Sequence, residues 1–145
     1  MALRVAILGV AHVHAGSYAH HLGNQFVGVY DVEQYKAEAF ALKYHTTASP
    51  DAKALIAKSD AVIICSETSG HEELIKLAVE QDKPILCEKP IAMTREEGKR
   101  ISEIVEGTIF MTAFPCRFAP AWDRVIQRVK AGEIGEIVSI CATNH

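Results

Sequence analysis

The chain has 145 residues, 49% of them hydrophobic, and a formal net charge of −3. That supports one core of ordinary domain size and, with no long Lys/Arg run, argues against a nucleic-acid or anionic-membrane binder. No apolar stretch reaches the roughly 20 residues that a membrane-spanning helix needs.

The opening run "LRVAILG" reads as a buried strand. Gly9 and the polar residues after it cut the run too short for a signal peptide, and no small-residue cleavage site follows. His12 to Leu22 reads as a helix, "QFVGVYD" as a second strand, and Val32 to Lys43 as a helix with Tyr35, Ala39 and Leu42 on one face. Ser49 stands where it can cap a helix that has Pro50 at its first position and runs to about Lys58. "DAVIICS" is the next strand. In "SGHEELIKLAVEQ", Ser69 and Glu72 have capping-box spacing. "KPILCEK" is a strand, and Thr94 and Glu97 form a second capping box for a helix ending near Gly107. "TIFMTAF" is a strand. Pro120 opens the helix "PAWDRVIQRVKAG", which Gly132 closes, and "EIVSICATNH" begins a further strand.

Strand and helix alternate, and the strands are continuously apolar, as expected when both faces are covered. The pattern predicts an α/β fold: a doubly wound, mostly parallel sheet in a three-layer α/β/α arrangement. Ligands in such folds sit beyond the carboxyl ends of the strands. The candidates are therefore Gly9 to His14, Asp31, Cys65 to His71, Glu88 to Pro90, and Phe114 to Arg117.

Gly9-Val10-Ala11-His12-Val13-His14 follows a strand and opens a helix, the context of a G-x-G-x-x-G dinucleotide fingerprint. Only Gly9 of the three glycines is kept. Ala11 adds one methyl at the second position, and His14 replaces the third. Alone, this is equally a plain tight turn. Asp31 tips the balance: it ends the second strand 22 positions after Gly9, where the fingerprint has an acid for the ribose hydroxyls of NAD. A carboxylate there repels the 2′-phosphate of NADP, so NAD is expected over NADP.

His12, His14, His20 and His21 invite a metal reading. No carboxylate or cysteine stands at recognisable ligand spacing, so no metal is expected. His12 or His14 lines the nucleotide pocket, and His20 and His21 are surface or packing residues. The four cysteines, Cys65, Cys87, Cys116 and Cys141, form no CxxC pair and fit a reducing cytoplasm. Cys65, Ser66 and Glu67 begin a loop placed to cover a ribose or nicotinamide. His71, at the start of the next helix, is either a neutral hydrogen-bonding group at that site or a half-exposed surface residue. Glu88 and Lys89 follow a buried strand. Pro90 makes Lys89 extended, so that the lysine either points into the crevice as a hydrogen-bond or proton donor or lies in an exposed charged loop.

Four segments in order, "VAILGVAHVHA", "VGVYD", "DAVIICSETSGHEELIKLAVEQDKPILCEKPIAMT" and "CRFAPAWDRVIQRVKAGEIGEIVSI", resemble the Gfo/Idh/MocA family of oxidoreductases. The resemblance implies a Rossmann domain that binds NAD or NADP, in an enzyme that transfers hydride between nicotinamide and a sugar, polyol, inositol or related hydroxyl or carbonyl compound. It makes Lys89, in Glu88-Lys89-Pro90, the catalytic lysine, and matches Arg117 to a recurrent arginine after the sixth strand. It divides the chain into a cofactor domain, 1–120, and a linking helix and first strand of a substrate domain, 121–145. The rest of that domain, with a catalytic histidine that His145 is too early to be, is expected to be missing, so the chain alone is expected to turn over little. A small-molecule substrate is the expected partner, with no nucleic acid or membrane, and a homo-oligomer is compatible. Two readings stay open beside the enzyme: a non-catalytic nucleotide or redox sensor, and a doubly wound domain for another adenine nucleotide or S-adenosylmethionine.

Overall fold

The computed structural model describes residues 3–143; His145 and the end of the last expected strand lie outside them. Five strands, β1 (Val5–Leu8), β2 (Phe26–Tyr30), β3 (Ala61–Ile64), β4 (Ile85–Cys87) and β5 (Phe110–Thr112), form one wholly parallel sheet in the order β2-β1-β3-β4-β5. Ala48 adds a single parallel bridge to Val29 outside β2. That bridge marks the place of an outermost strand in the doubly wound order. The strand order therefore reverses between β1 and β3, and a ligand crevice is expected above that junction.

Among the described residues, five α-helices connect the strands, α1 (Ala15–Leu22), α2 (Gln34–Lys43), α3 (Ala52–Lys58), α4 (His71–Val79) and α5 (Arg95–Ile104), and α6 (Pro120–Lys130) follows β5. The period-2 alternation of strand side chains sorts the core into two layers. Leu8 and Ile64 pack with Leu55, Ile56, Ile75 and Ile101 of α3, α4 and α5. Val5, Ile7 and Ile63 pack with Ala15, Ala19, Ala37 and Ala41 of α1 and α2. Small alanines let these two helices lie close to the sheet.

Local expectations fail where a competing contact wins. Helix α2 turns Ala37 and Ala41 inward, while Tyr35, Ala39 and Leu42 are exposed. The alanine spacing, not the larger apolar residues, marks its buried face. Helix α3 is capped by Asp51, whose carboxylate accepts from the Lys53 and Ala54 N–H groups, and not by Ser49. Asp51→Ala should lower stability by about 1 kcal/mol, and Ser49→Ala by less, as read by urea unfolding. Helix α4 starts at His71 behind Gly70 with no side-chain cap. Glu72 instead holds Lys76 and Arg100, each at 2.7 Å, so Ser69 and Glu72 make no capping box. Thr94 does cap α5, accepting from Glu97 N–H, while the Glu97 carboxylate takes the Met93 N–H. That helix ends at Ile104, one turn before Gly107.

The chain divides into two compact units between Ala113 and Phe114. The second contains a 3-10 turn, Pro115–Phe118, and α6, which starts at Pro120 as expected. Gly132 follows its end with φ +75°, the left-handed conformation of a helix stop. Residues 136–143 carry no regular secondary structure, so the strand expected from "EIVSICATNH" is not formed there. A strand exists only through a neighbour's hydrogen bonds, and those residues find none among the described ones. No helix among the described residues is long and apolar enough to cross a membrane.

Candidate nucleotide-binding site

The turn after β1 is fixed by three ties. Gly9 N–H donates to Tyr30 O at 2.6 Å, Val10 N–H to Asp31 Oδ2 at 2.9 Å, and His12 N–H to Cys65 O at 3.0 Å. The ends of β1, β2 and β3 are thus drawn together at the switch point. Gly9 has φ +85°, and a Cβ added there would lie 2.3 Å from the Ser66 Cα. Both the backbone twist and the close approach demand glycine.

A cleft of about 300 Å³ opens over this junction, walled by Gly9, Asp31, Ser66, Glu67, Gly70 and Glu73. Asp31 is buried, and its Oδ1 also accepts from Glu33 N–H at 2.9 Å. A carboxylate has about four lone-pair sites, so each oxygen keeps one for a further donor. Among the described residues the Ala11 and Val13 N–H groups donate to nothing, and no side chain caps α1 behind them. The donor set therefore fits a dinucleotide: acceptors for a ribose diol at Asp31, and backbone donors with a helix N-terminus for a pyrophosphate. Leu74 and Leu77 of α4 supply an apolar wall that the sequence reading missed; their helical spacing was its only signal.

The fold gathers a second group beside the turn. Glu88, at the end of β4, has a fully buried carboxylate. Its Oε1 lies 2.8 Å from His14 Nδ1, accepts from Tyr18 Oη at 2.9 Å, and is 3.4 Å from His12 Nδ1. Its Oε2 accepts from Lys89 N–H. Burial pushes the Glu88 carboxyl up, but the His14 and Tyr18 hydrogen bonds outweigh it and hold the group below the ordinary range. Burial lowers His12, partly opposed by Glu88. Burial and the bond to Glu88 raise Tyr18. The expectation that no carboxylate joins the histidines rested on local spacing and is corrected here. The parallel crossover brings Glu88 to them from 74 residues away. His20 and His21 are exposed, as expected.

The remaining candidates separate. Lys89 is exposed at the rim beyond β4, joined to Pro90 by a cis peptide bond. His71 is 1% exposed, not half-exposed, with Nε2 3.3 Å from Ser66 O and Nδ1 3.3 Å from Ile91 O. It ties the loop after β3 to the loop after Lys89 and does not line the cleft. The Cys65 side chain is buried, and only its carbonyl takes part in the turn. Burial pushes Cys87 up to about 12 and Cys65 higher, so both thiols are packing groups and not nucleophiles. Arg117 is exposed in the 3-10 turn of the second unit.

The strand order, the glycine turn and the acid at the end of β2 together define a doubly wound dinucleotide-binding domain. The model of the Gfo/Idh/MocA oxidoreductase family, described as an NAD-binding Rossmann fold, matches residues 3–111, and the chain belongs to that family. It is 33% identical to D-glucoside 3-dehydrogenase of Escherichia coli, over 93% of this chain and 41% of that protein. It is 32% identical to inositol 2-dehydrogenase of Rhizobium meliloti, over all of this chain and 46% of that protein. Its fold is similar to the crystal structure of myo-inositol dehydrogenase from Lactobacillus casei in complex with NAD(H) and myo-inositol. There the TM-score is 0.84 and the identity 26%, covering 93% of this chain and 43% of that one. The chain spans less than half the length of these relatives.

Proposed function

We propose that this chain is the cofactor-binding part of an NAD-dependent dehydrogenase that oxidises a secondary hydroxyl of a sugar, polyol or inositol. The observation that carries the reading is Asp31, a buried carboxylate tied to the glycine turn and still able to accept from a ribose diol. The substrate class follows the relatives, which are glucoside and inositol dehydrogenases. Bound NAD supplies the hydride acceptor at the nicotinamide. Asp31 holds the adenosine ribose, and the Ala11 and Val13 N–H groups hold the pyrophosphate. Ser66 and Glu67 form the loop over the ribose. Lys89, at the rim, hydrogen-bonds the substrate hydroxyl oxygen. Arg117 belongs to the same proposal as a cofactor-side residue. Four free cysteines support a reducing, cytoplasmic setting.

Titration of the purified chain with NADH, NADPH and S-adenosylmethionine tests this. Asp31, Glu67 and Glu73 all wall the cleft, so a 2′-phosphate meets like charge. NADH should bind at least about tenfold tighter than NADPH, a difference of about 1.4 kcal/mol. Binding of S-adenosylmethionine alone would overturn the oxidoreductase reading.

A further inference from the structure

The group of His12, His14 and Glu88 does not wall the cleft over the switch point and converges on a separate place beside the turn. His12 Nδ1 accepts from the His14 N–H at 3.3 Å. The same atom lies 3.4 Å from Glu88 Oε1. His14 Nδ1 closes on the same oxygen from the other side at 2.8 Å. All three candidate ligand atoms lie within 4.8 Å of one another.

From this convergence we infer that His12, His14 and Glu88 form a binding site for one divalent first-row transition metal, of the zinc class. Two imidazoles and one carboxylate are the donor set of open, three-ligand zinc sites. With metal–ligand bonds of about 2.0–2.1 Å, neighbouring donors in a tetrahedral site stand about 3.3 Å apart. The two spacings to Glu88, 2.8 and 3.4 Å, bracket that value, and the two imidazole nitrogens, within 4.8 Å of each other, close on the ion by side-chain rotation. The cation takes the place of the hydrogen between His14 Nδ1 and Glu88 Oε1, His12 Nδ1 exchanges the His14 N–H for it, and binding releases a proton. The outer shell is already built: Tyr18 Oη and Lys89 N–H both donate to the Glu88 carboxylate and fix its orientation. The Lys89 side chain is exposed, so water screens its charge from the site. His12 and His14 are partly exposed, which leaves an entry path and a fourth position open at the carboxyl end of the sheet.

The test is titration of the metal-free chain with Zn²⁺ by calorimetry, and with Co²⁺ by visible absorption. One ion per chain is expected, with a cobalt spectrum of nitrogen and oxygen ligation. His12→Asn and His14→Asn should each weaken binding by at least about tenfold. The double variant His20→Asn/His21→Asn should not change it. Glu88→Gln should also lose binding; because that carboxylate is buried, the two histidine variants, checked by circular dichroism, carry the result if this one fails to fold. Binding that survives both histidine variants, a cobalt–thiolate charge-transfer band, or no stoichiometric uptake would overturn the inference.

Discussion

Gly9→Ala should lower the stability of the chain by about 3 kcal/mol and weaken NADH binding by at least about tenfold. Two costs combine. A non-glycine residue at φ +85° costs about 1–2 kcal/mol. The new methyl would also stand 2.3–2.6 Å from Ser66 Cα, N and Cβ, so the turn and the loop after β3 must separate, which adds about 1–3 kcal/mol. That is a large part of the roughly 5–15 kcal/mol that holds a domain together. For a chain of this size the melting temperature should fall by about 6–12 °C. The separation also opens the wall of the cleft, so binding measured well below the melting temperature should fall as well. Gly107→Ala is the control. Its φ is +79° and nothing lies within 4 Å of an added Cβ, so it bears only the backbone cost and should leave NADH binding alone. Equal effects of the two substitutions would refute the close-approach argument.

The fold was legible because its signals are strong and local. Each expected strand through "TIFMTAF" is an apolar run ended by a turn, and each formed. Helix starts were read less well, because several polar residues compete for each one. Ser49 and Asp51 both suit the start of α3, and only the approach of the chain decides that Asp51 faces the free N–H groups. The face of α2 was misread for a related reason. Large apolar residues look like core, but a helix packed close to a sheet has room for Ala37 and Ala41 and not for Leu42. Asp31 was found from its spacing to Gly9, since the β-α-β unit fixes that distance in sequence as well as in space. The Glu88 cluster was beyond such reasoning. Its members follow different strands, His12 and His14 after β1 and Glu88 after β4, and the pairing of β1 with β3 and β3 with β4 that unites them is long-range information. His71 illustrates the same limit: its two carbonyl neighbours, Ser66 and Ile91, come from different loops.

Asp31 is the residue whose loss should most change what the cleft binds. Asp31→Ala removes the acceptor of the Val10 and Glu33 N–H groups, both 2.9 Å from the carboxylate. Hydrogen bonds to a charged acceptor contribute about 1.5–3 kcal/mol each. Water replaces part of that at the open cleft, so a net loss of about 3 kcal/mol is expected in urea unfolding. Asp31→Asn keeps one acceptor oxygen but turns an amide NH₂ toward the other N–H, and should lose about half as much. The two variants should agree on ligand preference. Both remove the charge that engages the ribose diol, so NADH binding should weaken by about a hundredfold, or roughly 2.7 kcal/mol. Both also remove the charge nearest a 2′-phosphate, so NADPH should lose far less. The ratio of the two affinities should therefore move toward one, measured by titration at a temperature where each variant is folded. A general fall in both affinities with an unchanged ratio would mean that Asp31 only braces the turn. An unchanged NADH affinity would mean that the ribose is held elsewhere.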